Sequence, residues 1–167
     1  ELYYAVSGSG MVCHTINPKL FPEQVAYIIN HAEDKILFVD VLVMPLLEAL
    51  KEHLSKVETV VVLTTKENMP ETTLTNVVCY EELLAAQSDV YDWPQFDENT
   101  ASGMCYTSGT TGNPKGVVYS HRSTVLHALA GALPDVTRAS NMETSLPVVP
   151  MFHVNAWGAP YAALMVG

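Results

Sequence analysis

The sequence predicts an α/β fold in which a mostly parallel β-sheet is covered by helices. Segments with apolar residues at helical spacing alternate with short β-branched runs, which is the pattern of strand–helix–strand units. The predicted strands are apolar on both faces, as is typical of parallel strands buried between layers of helices. A helical bundle fits poorly, because the β-branched runs interrupt the helical periodicity.

The first half of the chain carries two predicted helices, over residues 22–31 and 45–54, each followed by a predicted strand, over 35–40 and 57–63. Pro22 suits the first turn of a helix, where its missing N–H costs no hydrogen bond. In the first helix, apolar residues then recur at i, i+3, i+4 and i+7. The residues expected on the buried helix faces are Val25, Ile28, Ile29, Ala32, Leu46, Leu50 and Leu54.

The second half continues this alternation. In order, the sequence predicts a strand at 76–80, a helix at 80–87, a surface connection at 89–100, and strands at 103–107 and 117–120. Ser120 is expected to cap a following helix, because serine side chains accept hydrogen bonds from first-turn N–H groups. The predicted buried face of that helix contains Val125, Leu129, Ala132 and Leu133. Tyr3 and Tyr4 are most simply interpreted as helix packing residues.

Charge and cysteine usage narrow the class of protein. The 167 residues include 18 acidic and 8 basic side chains, which gives a net charge of −10. Nucleic acids and anionic membrane surfaces are bound by clustered Lys and Arg, whereas this chain has two arginines and no basic run. We therefore expect neither nucleic acid nor an anionic membrane surface as a partner.

The three cysteines, Cys13, Cys79 and Cys105, are widely spaced and indicate neither a zinc site nor a disulfide framework. A reducing compartment fits them best, so we expect a cytoplasmic protein.

Residues 144–167 carry no charged side chain. The stretch is long enough to cross a bilayer, but it contains Pro147, Pro150 and Pro160, which disfavour a membrane helix. We therefore expect short buried strands and turns there and no transmembrane segment. Because the chain starts at Glu1 and stops inside this apolar stretch, we expect it to be a portion of a larger domain, with exposed apolar faces that promote aggregation.

The segment with the clearest chemistry is Tyr-Thr-Ser-Gly-Thr-Thr-Gly-Asn-Pro-Lys-Gly at 106–116. Its glycines allow backbone N–H groups to approach an anion closely, and successive amides in such a turn form a nest for phosphate. Its four serine and threonine hydroxyls add donors and offer the oxygen ligands that Mg²⁺ prefers. Lys115 adds a positive charge for a leaving pyrophosphate. Together these groups predict a flexible clamp for a polyphosphate.

Other interpretations of this loop are weaker. The Walker motif requires Gly-Lys followed by Ser or Thr and then a helix, whereas Lys115 lies between Pro114 and Gly116 and a strand follows. The alternative of an ordinary Gly/Ser/Thr hairpin loop does not explain the complete string. Neither a Gly-x-Ser-x-Gly elbow nor a His-Glu-x-x-His pair is present, so a serine hydrolase or a zinc protease is not supported.

The loop resembles the phosphate-binding signature of the AMP-forming adenylating enzymes. Every position of their pattern [ST]-[ST]-G-[ST]-T-G-x-P-K-G is matched by residues 107–116. Val-Pro-Met-Phe-His-Val-Asn-Ala-Trp at 149–157 is similar to their second motif, and residues 10–20, with Glu23, Tyr27 and 35–38, resemble their early core. The amino-acid sequences of these motifs most resemble those of medium- and long-chain fatty acyl-CoA synthetases.

The resemblance implies roles for particular residues. The residues that would cradle the ATP phosphates are Thr107, Ser108, Gly109, Thr110, Thr111, Gly112 and Lys115. Thr107 would lie nearest Mg²⁺, His153 would stand between the nucleotide and acyl sites, and Trp157 would gate the acyl tunnel. The other histidines, His14, His31, His53, His121 and His127, show no metal-ligand spacing and are expected to be structural or exposed.

The resemblance also implies a reaction and its limits. The parent protein would join a fatty acid to CoA through an acyl-adenylate, using ATP, Mg²⁺ and CoA, with a homodimer as an option for the full-length protein. Residues 1–167 would be part of the AMP-binding domain, without its C-terminal part or the small C-terminal domain that carries the adenylation lysine. We therefore assign no catalytic residue within the chain and expect the isolated chain to be inactive.

Two alternatives stay open. One is an adenylating ligase for another carboxylic acid, such as an aryl or short-chain acid, because the apolar stretch at 144–167 does not fix acyl length. The other is a naturally short, non-catalytic module that binds phosphates without turnover.

Overall fold

The computed structural model describes residues 1–107, 112–137 and 139–167, and these form two compact units. One unit is Pro18–Tyr91, and the other joins Glu1–Asn17 to Asp92–Gly167. Within the described residues, six strands form two three-stranded sheets, with three parallel pairs and one antiparallel pair. The α/β fold predicted from the sequence is therefore confirmed.

The helices and strands alternate along the chain. In order they are α1 (Leu2–Gly8), β1 (Cys13–Thr15), α2 (Pro22–Ala32), β2 (Ile36–Val39), α3 (Met44–Leu50), β3 (Thr59–Val62), β4 (Val77–Cys79), α4 (Tyr80–Ala85), β5 (Ala101–Tyr106), β6 (Gly116–Ser120), α5 (His121–Gly131), α6 (Val154–Trp157) and α7 (Ala159–Val166). Seven of the eight elements with predicted bounds lie within two residues of them, and α3 ends four residues earlier than predicted.

The unit Pro18–Tyr91 is built on the parallel sheet β2-β3-β4. Ile36 pairs with Thr59, and Val60 pairs with Val77, so the β-branched strands lie side by side in register. The apolar faces of α2 and α3 supply much of its core, and Ile28 and Ile29 are each only 1% exposed. The buried apolar residues of this unit are Val25, Ala26, Ile28, Ile29, Leu37, Val39, Met44, Leu47, Leu50, Leu54, Val60, Val61, Val62 and Cys79.

The buried face of α3 differs from the predicted one. Met44, Leu47 and Leu50 are buried, whereas Leu46 is only half-buried. The helix ends at Leu50, and a 3₁₀ turn over Lys51–His53 carries the chain to the buried Leu54. Leu50 and Leu54 are therefore buried as predicted, whereas within α3 the buried residues are spaced by three positions, which leaves Leu46 beside the buried face.

The second unit contains the mixed sheet β1-β5-β6. β1 runs parallel to β5, and β5 runs antiparallel to β6, so β5 and β6 form a hairpin. The register shifts between Ala101 and Gly103, and the buried Ser102 at this irregularity donates its hydroxyl to the Tyr119 carbonyl at 3.2 Å. The hairpin fixes where the 107–115 connection begins and ends.

Helix α5 begins as predicted, because the Ser120 hydroxyl accepts a hydrogen bond from the Ser123 N–H at 3.1 Å. Its predicted buried face is wrong. Val125, Leu129 and Leu133 are 55%, 52% and 55% exposed, and Ala128 is the buried residue of the helix. Small residues face α7, since a Cβ added at Gly131 would lie 3.8 Å from Ala162. Close approach of two helices favours small side chains, so the larger apolar side chains face outward.

The uncharged stretch 144–167 also differs from its prediction. It contains the short helix α6 and the helix α7, with irregular backbone before them and no strand in any of its described residues. No helix within the described parts of the chain combines the length and the hydropathy needed to cross a bilayer.

Candidate functional site

The predicted phosphate loop is the connection between the two strands of the β5–β6 hairpin. Tyr106 at the end of β5 pairs with Gly116 at the start of β6. Beyond this pair, the Thr107 N–H donates to the Lys115 carbonyl at 3.0 Å, and the Lys115 N–H donates to Thr107 Oγ1 at 3.4 Å. The loop therefore connects two antiparallel strands, which places Thr107 and Lys115 next to each other at its base.

Both residues at the loop base are exposed, so the Lys115 ammonium and the remaining lone-pair capacity of Thr107 Oγ1 are open to a ligand. Gly112 has a φ of +141°, which favours glycine, and a Cβ there would meet nothing within 4 Å. The other four predicted phosphate-binding residues lie outside the described residues: Ser108, Gly109, Thr110 and Thr111. The described part of the loop thus offers a cation, a hydroxyl and an unobstructed backbone.

The base of the loop is supported by Tyr106. Its ring lies against Gly116, where an added Cβ would be 3.1 Å from the ring carbon Cζ. The same ring packs against His14 with a centroid separation of 5.2 Å. The absence of a side chain at Gly116 therefore gives the aromatic ring room beside the first residue of β6.

The second predicted motif contains a backbone conformation that the sequence did not indicate. Val154, Asn155, Ala156 and Trp157 have φ values of +50°, +49°, +52° and +56°, so α6 is a left-handed turn. Left-handed helical geometry costs roughly 1–2 kcal/mol for each residue that carries a Cβ. Non-glycine residues in such conformations persist only where surrounding contacts hold them, and they cluster at functional sites.

Three described contacts hold the α6 turn from inside its unit. Asn155 is buried, and its Oδ1 accepts a hydrogen bond from the Thr15 hydroxyl at 3.2 Å. The Trp157 carbonyl accepts a hydrogen bond from His127 Nε2 at 3.1 Å. Gly158 follows with a φ of +72°, and a Cβ there would lie 2.5 Å from the His127 ring. Thr15 and Asn155 thus support the turn in a way that the sequence did not indicate, and His127 is both structural and exposed, as expected.

His153 and Trp157 are brought together by this turn. Their rings meet edge to face, with centroids 6.5 Å apart and planes at 72°. Both side chains are exposed, and Trp157 is 62% exposed. Among the residues that the structure describes, no hydrogen bond or ring contact joins this pair to Thr107 or Lys115. The predicted site residues therefore form two groups, one at each motif.

A cavity of about 290 Å³ lies beside the α6 turn. Its walls come mainly from α5, α6, α7 and the irregular segment before His153, and they are mostly apolar. Residues that line it include His127, Thr137, Val149, Ala156, Trp157 and Ala162. Its size is near the lower end of small-molecule pockets, which run from roughly 300 to 1,000 Å³. The cavity suits a compact apolar group next to Trp157.

The donor set at the loop fits a polyphosphate accompanied by Mg²⁺. Thr107 offers an exposed hydroxyl oxygen, which is a hard ligand suited to this cation, and Lys115 offers a mobile positive charge. Over the described ranges, no three His, Cys, Asp or Glu side chains gather as a metal site.

Comparison with known proteins connects this geometry to a family. The AMP-binding enzyme family matches residues 1–167. The chain is 55% identical to the medium-chain-fatty-acid–CoA ligase of Ectopseudomonas oleovorans over 167 residues, which cover 100% of this chain and 31% of that protein. It is 53% identical, with the same coverage, to the 3-methylmercaptopropionyl-CoA ligase of Ruegeria lacuscaerulensis. The chain thus spans about a third of the length of these curated relatives.

A solved structure shares the fold. The inhibitor-bound N-terminal domain of FACL13 from Mycobacterium tuberculosis matches with a TM-score of 0.75 and 25% identity, covering 99% of this chain and 38% of that one. Its similarity extends over both compact units, and the family match extends from the first residue to the last. This chain therefore belongs to the AMP-binding enzyme family.

Proposed function

We propose that this chain supplies the phosphate-binding loop and part of the acyl pocket of an ATP-dependent fatty acid–CoA ligase. In this reaction a carboxylate attacks the α-phosphorus of ATP and pyrophosphate leaves. The thiol of CoA then attacks the acyl carbonyl of the acyl-adenylate, which gives acyl-CoA and releases AMP. The observation that carries the proposal is the exposed Thr107–Lys115 pair at the base of the hairpin loop in a chain of this family.

Each described group at the loop has a distinct proposed role. The Lys115 ammonium stabilises the charge that develops on the leaving pyrophosphate, and such stabilisation is often the largest contribution to catalysis. The open backbone at Gly112 lets an amide approach a phosphate oxygen. From the motif we propose that Ser108, Gly109, Thr110 and Thr111 complete the cradle. Thr107 would hold Mg²⁺, which neutralises phosphate charge when it is bound.

The acyl side of the site lies at the second motif. We propose that His153 borders both the nucleotide and the acyl group, and that Trp157 controls entry to the cavity beside the α6 turn. The work of these residues is positioning, which lowers the barrier by holding the reacting groups in an attack geometry. We place no catalytic acid or base within the chain, and we expect the 167-residue polypeptide alone to show no multiple turnover.

A second substrate class is supported by one comparison. The relative from Ruegeria lacuscaerulensis is named for 3-methylmercaptopropionyl-CoA, the thioester of a short thioether acid, and it is 53% identical to this chain. A short acid would also suit a cavity of about 290 Å³. The fatty acid stays our first proposal because 55% identity links the chain to a ligase of medium-chain acids.

The test is ATP–pyrophosphate exchange by the polypeptide encoded by the complete reading frame. The acids offered would be saturated fatty acids from four to sixteen carbons, 3-methylmercaptopropionate and benzoate. We expect the highest kcat/KM for a medium- or long-chain fatty acid, followed by acyl-CoA formation when CoA is added. A preference for 3-methylmercaptopropionate or benzoate would show that the substrate belongs to that class of acid and not to the fatty acids. ATP binding without exchange for any acid would contradict the ligase proposal and favour a non-catalytic module.

Three finer predictions accompany the proposal. We expect exchange to stop when EDTA removes Mg²⁺ and to return when Mg²⁺ is restored. We expect the full-length protein to sediment as a homodimer. We expect it in the cytoplasmic fraction of cells, as the cysteine usage of the chain suggests.

A further inference from the structure

Two tyrosines of α1 hold the backbone on either side of the α6 turn. The Tyr3 hydroxyl donates to the Met151 carbonyl at 2.6 Å, and the Tyr4 hydroxyl donates to the Pro160 carbonyl at 2.7 Å. Met151 precedes the left-handed residues and Pro160 follows them. The two bonds therefore fix both the entrance and the exit of the segment that carries His153 and Trp157.

Tyr161 links the two donors. Its ring meets the Tyr3 ring edge to face at 6.0 Å and 68°, and it meets the Tyr4 ring at 5.8 Å and 75°. This packing restricts the rings of both donors. Burial raises the pKa of Tyr3 and also that of Tyr4 above the ordinary value, so both donor hydroxyls are protonated at neutral pH. The donors therefore stay available under all ordinary conditions.

Hydrophobic packing alone does not account for α1. None of its seven described residues is fully buried. Tyr3 is half-buried, and Tyr4 is 37% exposed. A helix that buries so little apolar surface contributes little to a core. What α1 adds to its unit is a pair of directional hydrogen bonds, spanning 148 and 156 positions of sequence.

The α6 turn needs such bonds more than an ordinary turn does. A β-branched residue with positive φ, such as Val154, is a conformational outlier, and three further residues share the conformation. Without restraint at both ends, the segment would relax toward right-handed or extended backbone. Relaxation would move His153 and Trp157 together, because the two side chains flank the same turn.

We propose that Tyr3 and Tyr4 are positioning residues that hold the α6 turn, and with it His153 and Trp157, in the geometry that binds the acyl substrate. The functional part of this inference rests on the proposed ligase activity. The structural part, that the two hydroxyls set the position of Trp157, stands independently of any activity.

The structural part is tested by ¹⁹F NMR of the full-length protein labelled with 5-fluorotryptophan. The Trp157 resonance is assigned by its loss in Trp157→Phe. In the double variant Tyr3→Phe/Tyr4→Phe, which keeps both rings, we expect this resonance to shift or split. The matched control is Tyr27→Phe, because Tyr27 is a half-buried helical tyrosine whose ring stacks on His31 in the other unit. An unchanged Trp157 resonance in the double variant would overturn the inference.

The functional part is tested by steady-state kinetics on the same proteins. We expect the double variant to raise KM for the preferred acid at least fivefold while KM for ATP stays within twofold. General destabilisation would instead affect both substrates together, and that outcome would overturn the positioning role. Adding Val154→Asn to the double variant should recover part of the loss in acid KM, because asparagine tolerates positive φ better than valine does.

The two proposals fail in different ways. If the wild-type protein shows no acid-dependent exchange, the ligase proposal fails, and the NMR result still decides whether the tyrosines position Trp157. If the wild type is active but the double variant keeps its acid KM and its Trp157 resonance, only the role of the tyrosines is wrong.

Discussion

The two compact units differ in the regularity of their backbone. In Pro18–Tyr91 the described strand pairs are all parallel, and the described non-glycine residues with positive φ are the polar Glu33 and Asn76. In the other unit one pair is antiparallel, and four consecutive residues adopt left-handed geometry. All the predicted site residues belong to this second unit. Regular backbone thus accompanies the buried core, whereas strained backbone accompanies the groups available to ligands.

Burial shows the same contrast. The strand β3 contains Val62 at 0% exposure, whereas Val118 in β6 is 59% exposed. Apolar residues on β3 are therefore used for packing within their own unit. Apolar residues on β6 and α5 lie next to the loop and the turn that carry the proposed chemistry. Apolar residues in the second unit therefore cannot be assigned to a core by composition alone.

The largest effect is expected in the core of Pro18–Tyr91. Ile28→Ala should lower the local free energy of opening by about 2–5 kcal/mol, because it removes a buried side chain and leaves a cavity. The measurement is native-state hydrogen exchange of the β2, β3 and β4 amides. Leu42→Ala is the control, since Leu42 is 89% exposed and surface changes usually stay within about 0.5 kcal/mol. Equal exchange in the two variants would contradict the assignment of Ile28 to a tightly packed core in this unit.

The next effect is on activity with little effect on stability. Lys115→Ala should reduce ATP–pyrophosphate exchange by about 100-fold or more, which is typical when one group that stabilises developing charge is removed. Lys35→Ala is a matched control, because Lys35 forms a surface ion pair with Glu58 at 2.8 Å in the other unit. Exchange within twofold of wild type for Lys115→Ala would show that the loop does not stabilise the leaving group.

A smaller effect is expected at the end of the α6 turn. Gly158→Ala adds a Cβ that would lie 2.5 Å from the His127 ring at a φ of +72°, so the ring or the backbone must move. We expect a local cost of about 1–3 kcal/mol, the usual range for strained backbone, and a weaker affinity for the acid. Gly112→Ala is the comparison, because that position also has positive φ but no neighbour within 4 Å. Equal losses of acid affinity in the two variants would show that the positive φ, and not the contact with His127, causes the effect.

The smallest effect is a pH dependence in Pro18–Tyr91. Hydrogen bonds from Thr72 and Thr73 lower the pKa of Glu48 from 4.5 to about 2. Since the folded pKa is depressed, the stabilisation is present above about pH 4.5 and is lost as the pH falls toward 2. The urea midpoints of wild type and Glu48→Gln should therefore differ at pH 6 and converge near pH 2. A constant difference across this range would contradict the assigned cause.

The sequence predicted the regular unit well for a physical reason. The helix expected at 22–31 is observed at Pro22–Ala32, and Val25, Ile28 and Ile29 are buried as expected. An amphipathic helix beside β-branched strands has one way to bury its apolar stripe, so the local pattern determines the packing. The residue types of the 107–116 loop predict a phosphate clamp, and this chemistry stays a prediction. The roles of its individual residues stay predictions.

The second unit was predicted less well, because its packing depends on distant partners. Val125, Leu129 and Leu133 have helical spacing, yet α5 packs through Ala128 and Gly131, since α7 approaches closely. The left-handed α6 turn depends on Thr15, His127 and the α1 tyrosines, which lie far away in sequence. The positive-φ tolerance of Asn155 and the glycine at 158 were the only local signals, and they do not specify a four-residue turn.

The hydrogen bonds of Tyr3 and Tyr4 have a consequence for the order of folding. They join residues separated by 148 and 156 positions, which is most of the chain. Contacts between residues so far apart in sequence form late, because closing the intervening loop costs chain entropy before the contact contributes any stability. During synthesis α1 emerges before its hydrogen-bond partners, and the two bonds can form only after Met151 and Pro160 have left the ribosome. The acyl side of the site would therefore be among the last parts of this unit to mature, well after the helices and parallel strands of Pro18–Tyr91.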